Sequence, residues 1–479
     1  MRRASAPPTL TDPVARSQII GGTLTWRGDR NGWVTDIRTS RARDEVVDLV
    51  SRLIQFDTTN TGELATTVGE EACARWVGEQ LAEVGYEVTY VESGAPGRGN
   101  VFARLPGTDP ERGALLVHTH LDVVPAQPED WSVHPFSGTV SDGYVWGRGA
   151  VDMKDMVGMA LALARQFRRE GTVPPRDLLF AFLADEEAGG AYGSHWLVEH
   201  RPELFDGVTE AIGEVGGFSL TVDTPSGEPK RLYLVETAEK GIAWMRLTAT
   251  ATAGHGSFLH EHNAVTILAE AVAKLGRHEF PLIVSDSVAE FIGAVSEEST
   301  LEIRADSPDL ESALHKLGPL ARILGATLRD TANPTMLDAG YKANVIPQTA
   351  TAVVDCRVLP GRQAQFEAEV DAIIGPDVTR EWVTKLESYE TTFDGALVDA
   401  MNAAVLAFDP QARTVPYMLS GGTDAKAFAK LGIRCFGFAP LQLPADLDFA
   451  GLFHGVDERV PVDGLLFGVD VLEHFLLNC

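Results

Sequence analysis

The chain has 479 residues, 68 acidic against 40 basic side chains for a formal net charge of −28, and 44% hydrophobic residues. That length exceeds what a single core ordinarily supports, so two domains are expected. The acidic balance speaks against nucleic acid or an anionic membrane surface as partner.

Residues 1–40 read as an N-terminal extension whose Pro, Ser and Thr suggest a frayed start. Ile19 to Trp33 is apolar enough to pack on the body or on a neighbouring subunit, and both readings stay open. Neither here nor later is there an apolar run long enough for a signal segment or a membrane span, so a soluble, cytoplasmic chain is expected. Four scattered cysteines, Cys73, Cys356, Cys435 and Cys479, form no Cys-x-x-Cys pair and fit reduced thiols.

From Arg41 a periodic pattern begins, with Val46, Val47, Val50, Leu53 and Ile54 at helical spacing and QFDTTN as its stop. Glu70 to Val84 predicts a second helix, and Tyr86–Val91 and Asn100–Leu105 predict strands. The run Ala114, Leu115, Leu116, Val117 then delivers His118, Thr119, His120 and Asp122 at the carboxyl end of a strand. A Gly- and Asp-rich loop leads to Asp152 and a helix after it, whose methionines read as core filling. Leu178–Leu183 is another apolar run, ending in Asp185, Glu186 and Glu187. Alternating strands and helices with short links predict a doubly wound, largely parallel α/β sheet, which places its sites at strand ends.

These residue types suit zinc, which takes imidazole nitrogen and carboxylate oxygen and leaves a position open for water in catalytic sites. Two ions a few ångströms apart need a bridging carboxylate, a role open to Asp152. Asp122, two residues beyond His120 on the same face of an extended chain, could hold the second ring nitrogen. Of Glu186 and Glu187, adjacent and diverging, one could bind metal while the other handles protons.

Near Glu236 the pattern changes to alternation of apolar and small polar residues through LYLVETAEKGIAWMRLTATATAGHGS, as in a strand with one solvated face. Asn263–Leu275 is helical by pattern, Tyr341–Val358 alternates again, Glu367–Ile374 is helical, and VTREWV is a strand. Strand, helix, two strands, helix, strand is a ferredoxin-like α+β order. The chain therefore divides into an extension (1–40), a catalytic domain (41–238 and 389–479) and an inserted lid or dimerisation domain (239–388), with Phe280–Leu328 a helical elaboration inside the insert. His255 stands between two glycines in AGHGSFLHEHNAV, free to be presented to a ligand. After Phe393 a helix near Ala396–Ala407 precedes SGGTDAKAF, and HGVDERV closes the series of chemical segments.

LLVHTHLDVVPA, GRGAVDMKD, ADEEAGG, GEVGG and HGVDERV, in that order, resemble the signatures of the co-catalytic zinc hydrolases that include aminoacylase, carboxypeptidase G, succinyl-diaminopimelate desuccinylase, carnosine dipeptidases and the yeast vacuolar Gly-X carboxypeptidase. The resemblance implies a first zinc held by His120, Asp152 and Glu214 and a second held by Asp152, Glu187 and His454, with Co²⁺ or Mn²⁺ as substitutes the same donors would accept. Glu210 lies close by in TEAIGEVGG, and the Glu-x-Gly-Gly pattern favours Glu214. The resemblance further implies Asp122 as orienter of His120, Glu186 as general base, and His255 reaching across a homodimer interface to polarise the substrate carbonyl. Asn344 and Arg357 match substrate-contacting positions. Gly422 and Thr423 form either a carboxylate-binding loop or an ordinary N-cap. The expected activity is hydrolysis of an amide or peptide bond beside a free carboxylate, in a small peptide or N-acyl amino acid. A desuccinylase-like or acetylornithine-deacetylase-like deacylase is the alternative, and a catalytically silent metal-dependent binding protein a more distant one.

Overall fold

The computed structural model describes residues 41–301, 303–307, 310, 312 and 325–479. The N-terminal extension and part of the helical elaboration expected between Phe280 and Leu328 lie outside the described residues.

Ten strands form a twisted central sheet. Its parallel core sets Leu178–Leu183, Ala114–His120, Val208–Gly213 and Arg434–Gly437 side by side. Gly99–Leu105 and Val88–Glu92 extend it antiparallel at one end. At the other end Lys230–Glu239 pairs in parallel with Arg413–Leu419. Every residue of Ala114–His120 and Leu178–Leu183 is buried. A parallel strand covered by helices on both faces requires such an unbroken apolar run. Ala42–Ile54, Lys154–Glu170 and Val462–Leu476 pack into the large core on one face. Leu197 and Phe428, from Ser194–His200 and Ala425–Ala429, pack on the other. The doubly wound α/β architecture is therefore as expected.

The alternating stretch around Glu236 is two strands rather than one. Lys230–Glu239 is buried from Leu232 onward because it lies inside the central sheet. Gly241–Thr250 alternates, with Ala243, Met245, Leu247 and Ala249 inward, because it enters a second sheet solvated on one side. That sheet is antiparallel, in the order Thr331–Ala339, Thr349–Val358, Gly241–Thr250, Val378–Leu386. Helices Ala264–Gly276 and Gln363–Ile374 cover its inner face through Leu268, Leu275, Phe366 and Val370. This is the ferredoxin-like lid inserted into the catalytic fold. Its second strand, Thr331–Ala339, precedes the stretch where alternation predicted one. It carries Pro334, which removes a ladder donor, and it tolerates this as an edge strand with a register shift between Pro334 and Met336. Helix Asp286–Glu298, within the inserted stretch, packs instead on Leu232, Val415 and Tyr417 of the central sheet. Among the described residues no helix is long and apolar enough to cross a membrane.

Candidate metal centre and cleft

Three parallel strands end at one point. His120 is the last residue of its strand, Glu186 and Glu187 follow Leu183 by a short turn, and Glu214 follows Gly213 directly. The backbone there is forced into rarely used conformations: Asp185, Val215 and His454 have φ of 70°, 57° and 58°. Non-glycine residues hold such angles only where the surroundings over-determine them, as they do around functional groups. Gly216 explains the Glu-x-Gly-Gly pattern in packing terms. A Cβ there would lie 1.9 Å from the carbonyl oxygen of Gly437 on the neighbouring strand, so only glycine lets the turn after Glu214 close.

Asp152 sits between two imidazoles. Its Oδ1 is 3.1 Å from Nε2 of His120 and its Oδ2 is 3.1 Å from Nε2 of His454. His454 is also 3.1 Å from Glu187, and His120 is 3.5 Å from Glu214 and 3.9 Å from Glu186. The ligand atoms of His120, Glu186 and Glu214 lie within 4.8 Å of one another, as do those of Asp152, Glu187 and His454. Nδ1 of His120 faces Asp122, at 3.1 Å from its carbonyl and 3.5 Å from its carboxylate. The Asp122 carboxylate also accepts the backbone N–H groups of Glu186 and Glu187, each at 3.1 Å, and so fixes the turn that aims both acids. Glu210 points elsewhere, into an ion pair with Arg176 at 2.6 Å. His118 is buried against Phe428 and outside both clusters.

The electrostatics report crowding of like charge. Burial, then Asp152, pushes the Glu187 carboxyl up to about 8. Burial raises Glu214 to about 7, and burial together with Glu214 pushes Glu186 well above the usual range. Hydrogen bonds to Asp152 and Glu187 raise His454 to about 10. Asp152 runs the other way, because its two imidazoles outweigh burial. In the deprotonated state that metal ligation requires, with both imidazoles neutral and all four carboxylates ionised, the cluster would carry four negative charges, which two divalent cations would balance. Oε1 of Glu187 is buried with no hydrogen-bond partner among the described residues. Nitrogen and oxygen donors, excess anionic charge and an unpartnered buried carboxylate oxygen fit a pair of borderline metal ions.

The cluster opens into a cleft of about 680 Å³ that Arg357, Gly422 and Thr423 also line. The Arg357 guanidinium is held by Asp355 at 2.7 and 3.1 Å. Those residues are two apart on one face of a strand, a pairing that D-x-R spacing could have revealed. The Thr423 hydroxyl accepts the Ala425 N–H at 3.1 Å, but the N-cap of that short helix is Asp424, whose side chain makes no cap hydrogen bond, and Thr423 gives its own N–H and hydroxyl to Glu239. His255 and Asn344 do not line the cleft. His255, in the ladder Gly254–His255 with Val345–Ile346, is exposed beside Asn344, whose carbonyl accepts the Gly256 N–H at 3.0 Å.

Three residues near the site are given no role of their own from the sequence, although Asp424 lies in SGGTDAKAF and Glu458 in HGVDERV. Asp424 lines the cleft, is buried, and burial raises its carboxyl to about 7. Asn60 donates to Asp122 at 2.8 Å and to Asp185 at 3.0 Å. Glu458 gathers the loop that carries Asp152, accepting the N–H groups of Gly149, Val151 and Asp152 at 3.0, 2.8 and 3.2 Å.

Comparison with known proteins gives a consistent answer. The model of Peptidase family M20/M25/M40 matches residues 116–478. Aminoacylase-1 of Sus scrofa is 29% identical over 422 residues, covering 85% of this chain and 89% of its own length. The Homo sapiens N-fatty-acyl-amino acid synthase/hydrolase PM20D1 is 30% identical over 372 residues, covering 75% of this chain and 72% of its own. Among solved structures, the M20 family metallo-carboxypeptidase Sso-CP2 from Sulfolobus solfataricus superposes with a TM-score of 0.67 at 17% identity, covering 91% of this chain and 99% of that one.

Proposed function

Because the chain belongs to peptidase family M20/M25/M40, whose members are hydrolytic metalloenzymes, we propose that it uses two zinc ions to hydrolyse an amide bond beside a free carboxylate, in an N-acyl amino acid or a short peptide. The observation that carries this reading is the Asp152 carboxylate divided between His120 and His454, each at 3.1 Å. His120, Asp152 and Glu214 would hold one ion, and Asp152, Glu187 and His454 the other. Bound zinc would acidify water toward neutrality and polarise the scissile carbonyl. Asp122 keeps the His120 ring in the orientation that offers Nε2 to the centre. Glu186, 3.9 Å from His120 and beside the cleft, takes the proton of the attacking water and returns it to the leaving nitrogen. Arg357 and the loop at Gly422 and Thr423 would face the substrate carboxylate; an Arg fork suits that group once Asp355 gives way, while Thr423, whose N–H and hydroxyl both go to Glu239, shapes the loop.

His255 is read as a residue given to a second copy. It is exposed on the lid and outside its own cleft. Its Nδ1 accepts the Ser257 N–H at 3.2 Å, which leaves the proton on Nε2, the tautomer that donates to a developing oxyanion. This supports the reading of a homodimer in which Asn344 and His255 would complete the neighbouring cleft.

The test is a panel of N-acyl amino acids and dipeptides, each with a free and an amidated carboxyl terminus, run on chelated protein before and after Zn²⁺ is returned. Turnover that needs both the metal and the free carboxylate is expected. Turnover confined to the amidated series would overturn the carboxylate assignment.

A further inference from the structure

The two sides of the cleft come from different domains. The catalytic domain lines its side with hydrocarbon at Phe218, Leu220, Leu447, Phe449 and Phe453, and the lid faces it with Ile242, Trp244, Arg357, Thr384 and Leu386. In the lid strand Gly241–Thr250, Ala243, Met245 and Leu247 turn toward the covering helices, so Ile242 and Trp244 project from the opposite face. Their neighbours on that face are set by a break in the pairing. Met245 pairs with Trp382, but Trp244 pairs with Thr384 and Ile242 with Leu386, which leaves Val383 as an extra residue. Trp382 packs on the lid core, whereas beyond the extra residue it is Lys385 that reaches the covering helix, 2.8 Å from Glu367. The bulge therefore brings Thr384 and Leu386 out beside Trp244 and Ile242.

An indole in this position is open to a ligand. Arg380 and Lys385 cover the ring of Trp382, at 4.8 and 5.3 Å from its centroid. Trp244 is 38% exposed, and among the described residues nothing stacks on its ring or accepts from its Nε1–H. Arg357 stands opposite Ile242 on the neighbouring strand, so Trp244 is its diagonal neighbour, about 7–8 Å away as such pairs are. A Cβ on Gly422 would lie 3.3 Å from the Ile242 side chain, so the loop facing the carboxylate borders the same residue. The carboxylate and the side chain of an amino acid leave one carbon atom. With the carboxylate on Arg357, the side chain falls toward Ile242 and Trp244. Asp355, which holds Arg357 at 2.7 Å, opposes an anionic side chain there.

We propose that Trp244 is the specificity residue for the amino acid that carries the free carboxylate, and that it selects an aromatic side chain, stacked on the indole between Ile242 and Leu386. This rests on the carboxylate reading of Arg357 given above. Covering a phenyl ring in place of a methyl group multiplies transition-state binding by about tenfold or more. Ring-on-ring geometry adds about two- to tenfold over an aliphatic side chain of similar size.

The experiment measures kcat/KM of the zinc-loaded protein on the N-acetyl derivatives of phenylalanine, tyrosine, leucine, alanine, lysine and glutamate. Phenylalanine should exceed alanine by at least about tenfold and leucine by about two- to tenfold. Trp244→Ala should lower the phenylalanine-to-alanine ratio by about tenfold, and Trp244→Phe should restore most of it. If Trp244→Ala does not fold, Trp244→Leu keeps apolar volume without the ring and should erase the preference for phenylalanine over leucine. A series led by leucine, lysine or glutamate, or an aromatic preference that survives loss of the indole, overturns the assignment while leaving amide hydrolysis beside a carboxylate intact. No turnover of any carboxylate-bearing amide overturns the parent reading and the Trp244 assignment with it.

Discussion

Glu458 and Arg148 meet at 2.7 Å across 310 positions of chain, both almost wholly removed from solvent. The same carboxylate accepts the N–H groups of Gly149, Val151 and Asp152, so the backbone that presents Asp152 is tied to a segment four residues beyond His454. One side chain thereby sets the position of the residue shared by the two candidate ion sites.

Glu458→Gln removes the charge opposite Arg148 and one of the acceptor oxygens, while nearly keeping shape. Breaking a buried pair from one side costs about 3–5 kcal/mol. A clear fall in Tm is expected, with metal affinity about 10–100-fold weaker. Thermal unfolding and competitive metal titration check it; an unchanged Tm together with unchanged affinity would show that the loop is held by other means.

Asn60 is surrounded by acids, donating to Asp122 and Asp185 while its carbonyl accepts from Arg98 at 3.3 Å. Asn60→Asp is nearly isosteric but brings a third carboxylate against two that have lost their donor. It should destabilise the protein more than Asn60→Ala does, by about 1–3 kcal/mol or more relative to wild type. Denaturant unfolding at neutral pH measures this, and equal stability of Asn60→Asp and wild type would contradict the donor assignment.

Glu186→Gln should keep bound zinc and lose kcat on the order of 10²–10⁴-fold, since only the proton acceptor is removed. His120→Ala should lose metal and activity together. Metal analysis beside kinetics separates the two, and Glu186→Gln with wild-type kcat and full zinc would end its role as base.

Mixing tests whether His255 acts in the neighbouring subunit. Glu186→Gln and His255→Ala homodimers should each be nearly inactive. If His255 works across the interface, a mixed dimer contains one site with both lesions and one with none, so activity should rise well above the sum of the parents after subunit exchange. The absence of any rise in dimers shown to be mixed would place His255 in its own cleft or outside catalysis.

His195 borders the cleft with Lys430 Nζ 3.0 Å from its Nδ1. Burial, then the ammonium groups of Lys430 and Lys426, lowers its pKa from 6.5 to about 4. The ring is neutral in the fold while the unfolded chain takes up a proton below pH 6.5, so its contribution is whole above that pH and is lost as pH falls toward 4. His195→Gln, which keeps an acceptor for Lys430, should flatten the decline of Tm over that window. Parallel declines in the two proteins would refute it.

Periodicity and apolar runs sufficed for much of the architecture, because a strand buried on both faces must be continuously apolar and a half-exposed one must alternate. Ala114–His120 and Gly241–Thr250 show the two cases. The edge strand Thr331–Ala339 escaped that logic, since most of it is exposed and Pro334 breaks its ladder.

Local chemistry was likewise legible where a functional side chain sits at the end of a buried strand, so His120, Glu186 and Glu187 could be named from the residues themselves, whereas Glu214 and His454 were named only through the resemblance to a known family. The chain alone determined which residue types were available and at which strand ends they would emerge. Only the tertiary structure decided that Asp152 faces two imidazoles, that Glu458 and Asn60 hold the neighbouring backbone and carboxylates in place, that Asp355 occupies the Arg357 fork, and that one side of the cleft is hydrocarbon. Those relationships join residues tens to hundreds of positions apart, or depend on which way a side chain turns, and neither spacing nor composition encodes a distance that arises only when separate segments pack.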